Sequence, residues 1–152
     1  MLSTTAPAVQ AFLQRSMVVE LATLSPRGRP FVTPLWFVLD ADALYMTTGP
    51  GTRAATNVAR HPAVTMLFHG ERGRRPQQVL RLRGIATCHQ GLPSWQVLLQ
   101  VAAKYYVSPR ALSVELRNVG KWPLRWRYYG QLRGGLGYLR VRPTAGELLA
   151  SP

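Results

Sequence analysis

The chain has 152 residues, 47% of them hydrophobic, which suits one domain (1–152) with a core of its own. Lys and Arg number 19 against 6 Asp and Glu, a formal charge of +13, and 17 of the 19 are Arg. That balance favours anionic partners and bidentate grips on phosphate or carboxylate, although a high-GC genome produces it too. No apolar run reaches the ~20 residues of a membrane span. No basic stretch precedes an apolar one at the N-terminus, and the single cysteine, Cys88, excludes an internal disulfide. The expectation is a cytoplasmic protein that does not enter a membrane.

Residues 5–15 read as a helix, with Thr5 as cap, Pro7 in the first turn, and Val9, Phe12 and Leu13 on one face. A β-rich run (17–24) ends in the turn Ser25-Pro26-Arg27-Gly28. A second strand (29–39) is apolar on both faces, and Asp40-Ala41-Asp42 turns it into a third (43–48), giving a three-stranded antiparallel meander. Gly49-Pro50-Gly51 breaks that strand, and 52–60 read as a short helix capped by Thr52 and ended by Pro62. Strands follow at 63–68 and 79–89, separated by an arginine-rich loop. Helices are expected within 94–118: one carries the stripe Trp95, Leu98, Leu99, Ala102 and Tyr106, read as packing, and Ser108-Pro109 starts another. Closing strands (124–131, 137–142) flank Arg133-Gly134-Gly135, and the ends (1–6, 146–152) are expected to fray. Many short strands with glycine and proline turns predict a mainly β fold, a barrel of about six antiparallel strands with peripheral helices.

A phosphate needs backbone N–H groups, a helix N-terminus and a cation, and Gly51-Thr52-Arg53 offers all three just after a strand. Thr47 and Thr48 add hydroxyls. Val32, Thr33, Pro34, Leu35 and Trp36 form a mostly apolar strand suited to line a slot for a flat ring. Pro34, unusual in a central strand, predicts a kink or bulge there. Trp36 also suits barrel core or a dimer interface. Arg81 and Arg83 share a strand face with Val79 and Ile85, which on the residues alone suits a solvated face. The aromatic group Trp122, Trp126, Tyr128, Tyr129 and Tyr138 suits core or interface, with its strand bordering a pocket. His61, His69 and His89 have neither ligand spacing nor an acidic companion, so no metal site is expected. No nucleophile–base pair stands out, and no catalytic residue is assigned; that pattern suits chemistry carried by a cofactor. The basic residues, Arg72, Arg74 and Arg75 among them, are scattered and form no nucleic-acid motif.

The runs Ala22-Thr23-Leu24-Ser25, Gly28-Arg29-Pro30, Val32-Thr33-Pro34-Leu35-Trp36-Phe37, Leu44-Tyr45-Met46-Thr47-Thr48 and Thr52-Arg53 with Asn57 and His61-Pro62 are, in order and spacing, similar to the split-barrel flavoproteins. This superfamily includes pyridoxamine 5'-phosphate oxidases, small FMN-binding proteins and the deazaflavin-dependent oxidoreductases of actinobacteria. Arg81-Leu82-Arg83-Gly84 resembles its fifth strand and Leu139-Arg140-Val141-Arg142-Pro143-Thr144 its closing strand. The resemblance implies an FMN-type split barrel, an oxidoreductase that transfers a hydride between a bound flavin or deazaflavin coenzyme and a small organic substrate, and a homodimer with the cofactor at the subunit interface. It implies cofactor contacts from Val32, Thr33, Pro34, Leu35, Trp36, Met46, Thr47, Thr48, Gly51, Thr52, Arg53, Asn57 and Arg81. The cofactor would be FMN or the deazaflavin coenzyme F-420, whose oligoglutamate tail suits an arginine-rich groove. Many relatives carry Lys where this chain has Ala54. The alternative classes are a non-catalytic FMN or haem carrier or sensor and, behind it, a nucleic-acid binder.

Overall fold

The computed structural model describes residues 3–70, 78–107 and 136–150. Helix α1 (Pro7–Arg15) leads into strands β1 (Val19–Leu24), β2 (Pro30–Leu35), β3 (Phe37–Asp40) and β4 (Ala43–Thr47). Helix α2 (Arg53–Arg60), strands β5 (Ala63–His69) and β6 (Gln78–Gln90), helix α3 (Trp95–Ala102) with a π turn (Ala103–Val107), and β7 (Gly137–Ala150) complete it.

The strands form one antiparallel sheet in the order β2-β1-β5-β6-β7-β4-β3. Its two edge strands, β2 and β3, are consecutive in the chain and separated by Trp36 alone. Edges one residue apart oblige the sheet to curl until they nearly meet, which makes it a split β-barrel. Inside lie Leu21, Met66, Phe68, Leu80, Leu82, Leu139 and Val141, with Val9, Phe12 and Leu13 of α1 closing one end. Each such side chain contributes about 1.5–3 kcal/mol through burial. Strand β6 alternates strictly about Leu80, Leu82 and Ala86, and Arg81 and Arg83 fall on its outer face as the period of two requires. The β6–β7 register shifts between Arg83 and Gly84. A Cβ at Gly84 would stand 2.7 Å from the Arg142 carbonyl oxygen, so the strands approach there only because the residue is glycine.

Several expectations change. Residues 29–39 are two strands rather than one, so β1–β2 and β3–β4 are separate hairpins at opposite ends of the sheet, with no three-stranded meander. This split brings the described strands to seven. Pro34 makes no bulge: it pairs in register with Glu20 on an edge strand, where alternate N–H groups have no ladder partner to lose. The break falls at Trp36 instead. Thr5 does not cap α1; Ala6 holds that position without a side-chain bond. Residues 146–150 do not fray but pair along β6. On α3 the buried positions are Val97 and, past the helix end, Tyr105, while Trp95 and Leu99 are 69% and 55% exposed. Of the stripe read as packing, Trp95 and Leu99 therefore face outward and Leu98 is partly exposed; the Tyr106 side chain and the readings at 72–75 and 108–135 lie outside the described residues. His69 does have an acidic neighbour, Glu20, at 3.1 Å.

Candidate functional site

A cleft of about 710 Å³ opens where β2, the end of β4, the start of α2, α3 and the start of β7 converge. Its size falls within the range of small-molecule sites. One wall is β2 from Phe31 to Leu35 with Trp36; the opposite wall is apolar, from Leu92, Pro93, Leu98, Val101 and Leu136, with Tyr138 beside it. The polar end is Thr47, Thr48, Thr52 and Arg53.

That polar end is built locally. Thr52 Oγ1 accepts from the Ala55 N–H at 3.3 Å, capping α2, while the Thr52 hydroxyl lies 2.9 Å from both the Gly49 carbonyl oxygen and Thr48 Oγ1. The first helical N–H groups, at Arg53 and Ala54, have no acceptor within the helix and lie at the positive end of its dipole. Arg53 is exposed and packs its guanidinium over the Phe31 ring, 5.0 Å from the centroid. On the β2 wall, the Thr33 hydroxyl oxygen is buried without a hydrogen-bond partner. A buried polar atom left so costs about 1–3 kcal/mol unless something bonds to it.

A second groove of about 650 Å³ shares Phe31 and Arg53 with the cleft and adds Arg27, Arg29, Gly51, Thr56 and Asn57. It lies beside the hairpin turn in which Gly28 takes φ 74° and the Arg29 N–H donates to Ser25 Oγ at 3.1 Å. The four described carboxylates that make polar contacts are engaged elsewhere: Glu20 with His69, Asp40 with Gln100, Asp42 with Arg140 and Arg142, and Glu147 with Arg81. Among the described residues, Arg27, Arg29 and Arg53 form no ion pair with any of them, so the described lining of the two adjoining cavities is cationic.

Behind the cleft, the Tyr105 ring stacks on Trp36 with centroids 4.5 Å apart and planes 6° from parallel. Burial pushes the Tyr105 phenol well above its usual range, so it stays protonated. Beside it, burial lowers the Lys104 ammonium to about 8; Nζ donates to the Phe37 carbonyl at 3.3 Å and lies 3.6 Å from the Phe37 ring centroid.

The structure thus brings Val32, Thr33, Pro34, Leu35, Trp36, Thr47, Thr48, Thr52 and Arg53 to one cleft, with Gly51 and Asn57 on the adjoining groove. Asn57 is buried there and donates to Thr23 Oγ1 at 3.0 Å, so its side chain holds α2 against β1. Met46 does not reach the cleft: its side chain is fully buried in the core, facing Phe37 and Leu139 across the sheet. Arg81 does not reach it either, since its guanidinium pairs with Glu147 directly across on β7. Ala54 belongs to the core and also lines the cleft, so among the described residues the cation lining the cleft is Arg53; Arg29 lines the adjoining groove and Arg60 lines neither. Sequence reasoning missed the apolar wall from α3 and Leu136, because those contacts are long-range. Tyr138 was readable as pocket-bordering, and its pairing with Thr47 explains why. Among the described residues, no group of His, Cys, Asp or Glu is disposed to hold a metal.

The curled antiparallel sheet and its helices define a split-barrel protein with an arginine-edged cleft. The model of the pyridoxamine 5'-phosphate oxidase family matches residues 5–120, and the chain belongs to that family. Among solved structures it is similar to an F420 reductase, with 22% identity, a TM-score of 0.62, and 91% of this chain and 94% of that one covered. It is similar to an FMN-binding, pyridoxamine 5'-phosphate oxidase-related protein of Nostoc punctiforme (19%, TM-score 0.61, 98% and 85% covered). It is also similar to the haem storage protein HutZ of Vibrio cholerae (18%, TM-score 0.65, 95% and 93% covered). No curated protein matches the chain.

Proposed function

We propose that the cleft binds a flavin-type coenzyme and that the protein is an oxidoreductase acting on a small organic substrate. The observation that carries this reading is the meeting, in one cleft, of a capped helix start with Arg53 and a strand wall whose buried Thr33 hydroxyl lacks a partner. The residues fit such a group. Arg53, the Thr52 and Thr48 hydroxyls and the first amides of α2 would hold its phosphate. The β2 wall and Trp36 would hold its ring, with Thr33 bonding to the ring's polar edge. The coenzyme, when bound, supplies two-electron redox chemistry. The protein binds and orients the reactants, and Leu98, Val101 and Leu136 exclude water from the opposite wall.

Between FMN and the deazaflavin coenzyme F-420, the arginine groove favours the latter. One phosphate is served by Arg53, whereas Arg27 and Arg29 lie beyond it on a continuous surface suited to a tail of several carboxylates. The fold is shared with a haem storage protein, but among the described residues lining the cleft there is no histidine, methionine or cysteine, and the arginine groove suits a flavin-type coenzyme better. Titration of the purified protein with FMN and with F-420, in wild type and in an Arg27→Ala/Arg29→Ala variant, tests the choice. The variant should weaken F-420 by about tenfold or more while leaving FMN within about twofold, the loss of charge-assisted bonds to the tail alone. Equal losses for both ligands, or none for F-420, would reject the tail assignment.

A further inference from the structure

One residue, Trp36, joins the two edges of the sheet, and the next peptide is held from outside the sheet by Tyr105. The Phe37 N–H donates to the Tyr105 hydroxyl oxygen at 2.9 Å. The same hydroxyl lies 2.7 Å from the Phe37 carbonyl oxygen and 2.8 Å from that of Met17, just before β1, and its single proton serves one of the two. Its ring lies flat on the Trp36 indole, and the residue is 3% exposed. Lys104, its neighbour in the π turn, donates to the Phe37 carbonyl as well. In a regular helix, consecutive side chains point about 100° apart; here the wider turn brings both onto the backbone of one residue, Phe37. Such turns recur at functional sites.

A buried tyrosine with a satisfied hydroxyl is ordinary packing. What sets this one apart is where its partners are. They are the peptide following Trp36, the approach to β1, and the indole itself, which is a wall of the cleft. We propose that Tyr105 is a positioning residue for the cleft: by holding the Phe37 peptide and the Trp36 indole as one unit, it fixes the wall against which a flat ligand ring lies. This role rests on the flavin-type reading of the cleft.

The test combines amide hydrogen exchange by NMR with titration of FMN and F-420, for wild type, Tyr105→Phe, Trp36→Ala and the double variant. Tyr105→Phe keeps the ring and removes the hydroxyl. Phe37 amide exchange should quicken by about tenfold or more relative to Leu39, the loss of a net hydrogen bond, and both coenzymes should bind more weakly. If Tyr105 acts through Trp36, the double variant binds no worse than Trp36→Ala alone. Unchanged affinity in Tyr105→Phe, or a loss that adds in full to that of Trp36→Ala, overturns the proposal. Wild-type protein that binds neither ligand overturns the cleft reading and the positioning role with it, and the Phe37 exchange then reports the clasp alone. If Tyr105→Phe does not fold, Trp36→Phe carries the test, since it leaves the hydroxyl's bonds in place and shrinks the wall. Affinity should then fall with Phe37 exchange unchanged, and unaltered affinity would overturn the role.

Discussion

Lys104 lies over the Phe37 ring and donates to the Phe37 carbonyl. Burial holds its pKa at about 8 in the folded chain against 10.5 for an ordinary lysine. Between those values the unfolded chain binds more protons than the folded one, so stability should rise as pH increases from about 8 toward 10. Below 8 both states are protonated and the penalty persists in full. Above 10 the raised phenol of Tyr105 works the other way, because the unfolded chain then loses a proton that the folded chain keeps. Chemical denaturation at pH 7.5 and 9.5 should show the rise in wild type and its loss in Lys104→Met. An equal slope in both proteins would show that Lys104 is not its source.

At the level of elements, the β3–β4 hairpin carries Ala41 at φ 52°, a conformation that costs a residue with a Cβ about 1–2 kcal/mol. Ala41→Gly should therefore stabilise the protein by up to about 1 kcal/mol, offset by the extra freedom of glycine in the unfolded chain. A lower midpoint in urea would contradict this. The Asp40-Ala41-Asp42 turn was legible from composition, as were the Thr52 cap and the period-two face of β6. The break at Trp36 was not. Residues 29–39 are apolar on both faces, so no change of period marks the point where the strand leaves one partner for another. Helix α3 misled for a related reason. It is apolar nearly all round, so the i, i+4 rows through Trp95–Leu99 and through Val97–Val101–Tyr105 are equally good stripes. Only contact with β3 decides between them.

For the molecule as a whole, the sequence revealed the barrel, its family and the cationic end of the cleft, whereas the apolar wall came only with the long-range pairing of β7 and the placement of α3. The outward stripe has a consequence. Leu92, Trp95 and Leu99 are exposed, and Leu92 lines the cleft together with Leu98 and Leu136. Exposed apolar groups in such a cluster mark an interaction surface. We propose that a second copy of the chain covers them, as expected of this family. Sedimentation should give a dimer at micromolar concentration and a shift toward monomer in Leu99→Glu. A wild-type monomer would contradict the homodimer and leave the cleft as a single-chain site.

The central claim is that Arg53 and the start of α2 take a phosphate while β2 takes the ring. Its most direct measurement is a fluorescence titration of wild type and Arg53→Ala with FMN and with riboflavin, which has the ring and lacks the phosphate. Wild type should prefer FMN, and Arg53→Ala should lose about tenfold to hundredfold of that affinity, the range for hydrogen bonds to a charged group, while riboflavin binding stays within about twofold. Equal affinity of wild type for the two ligands, or an FMN affinity indifferent to Arg53, would contradict the account.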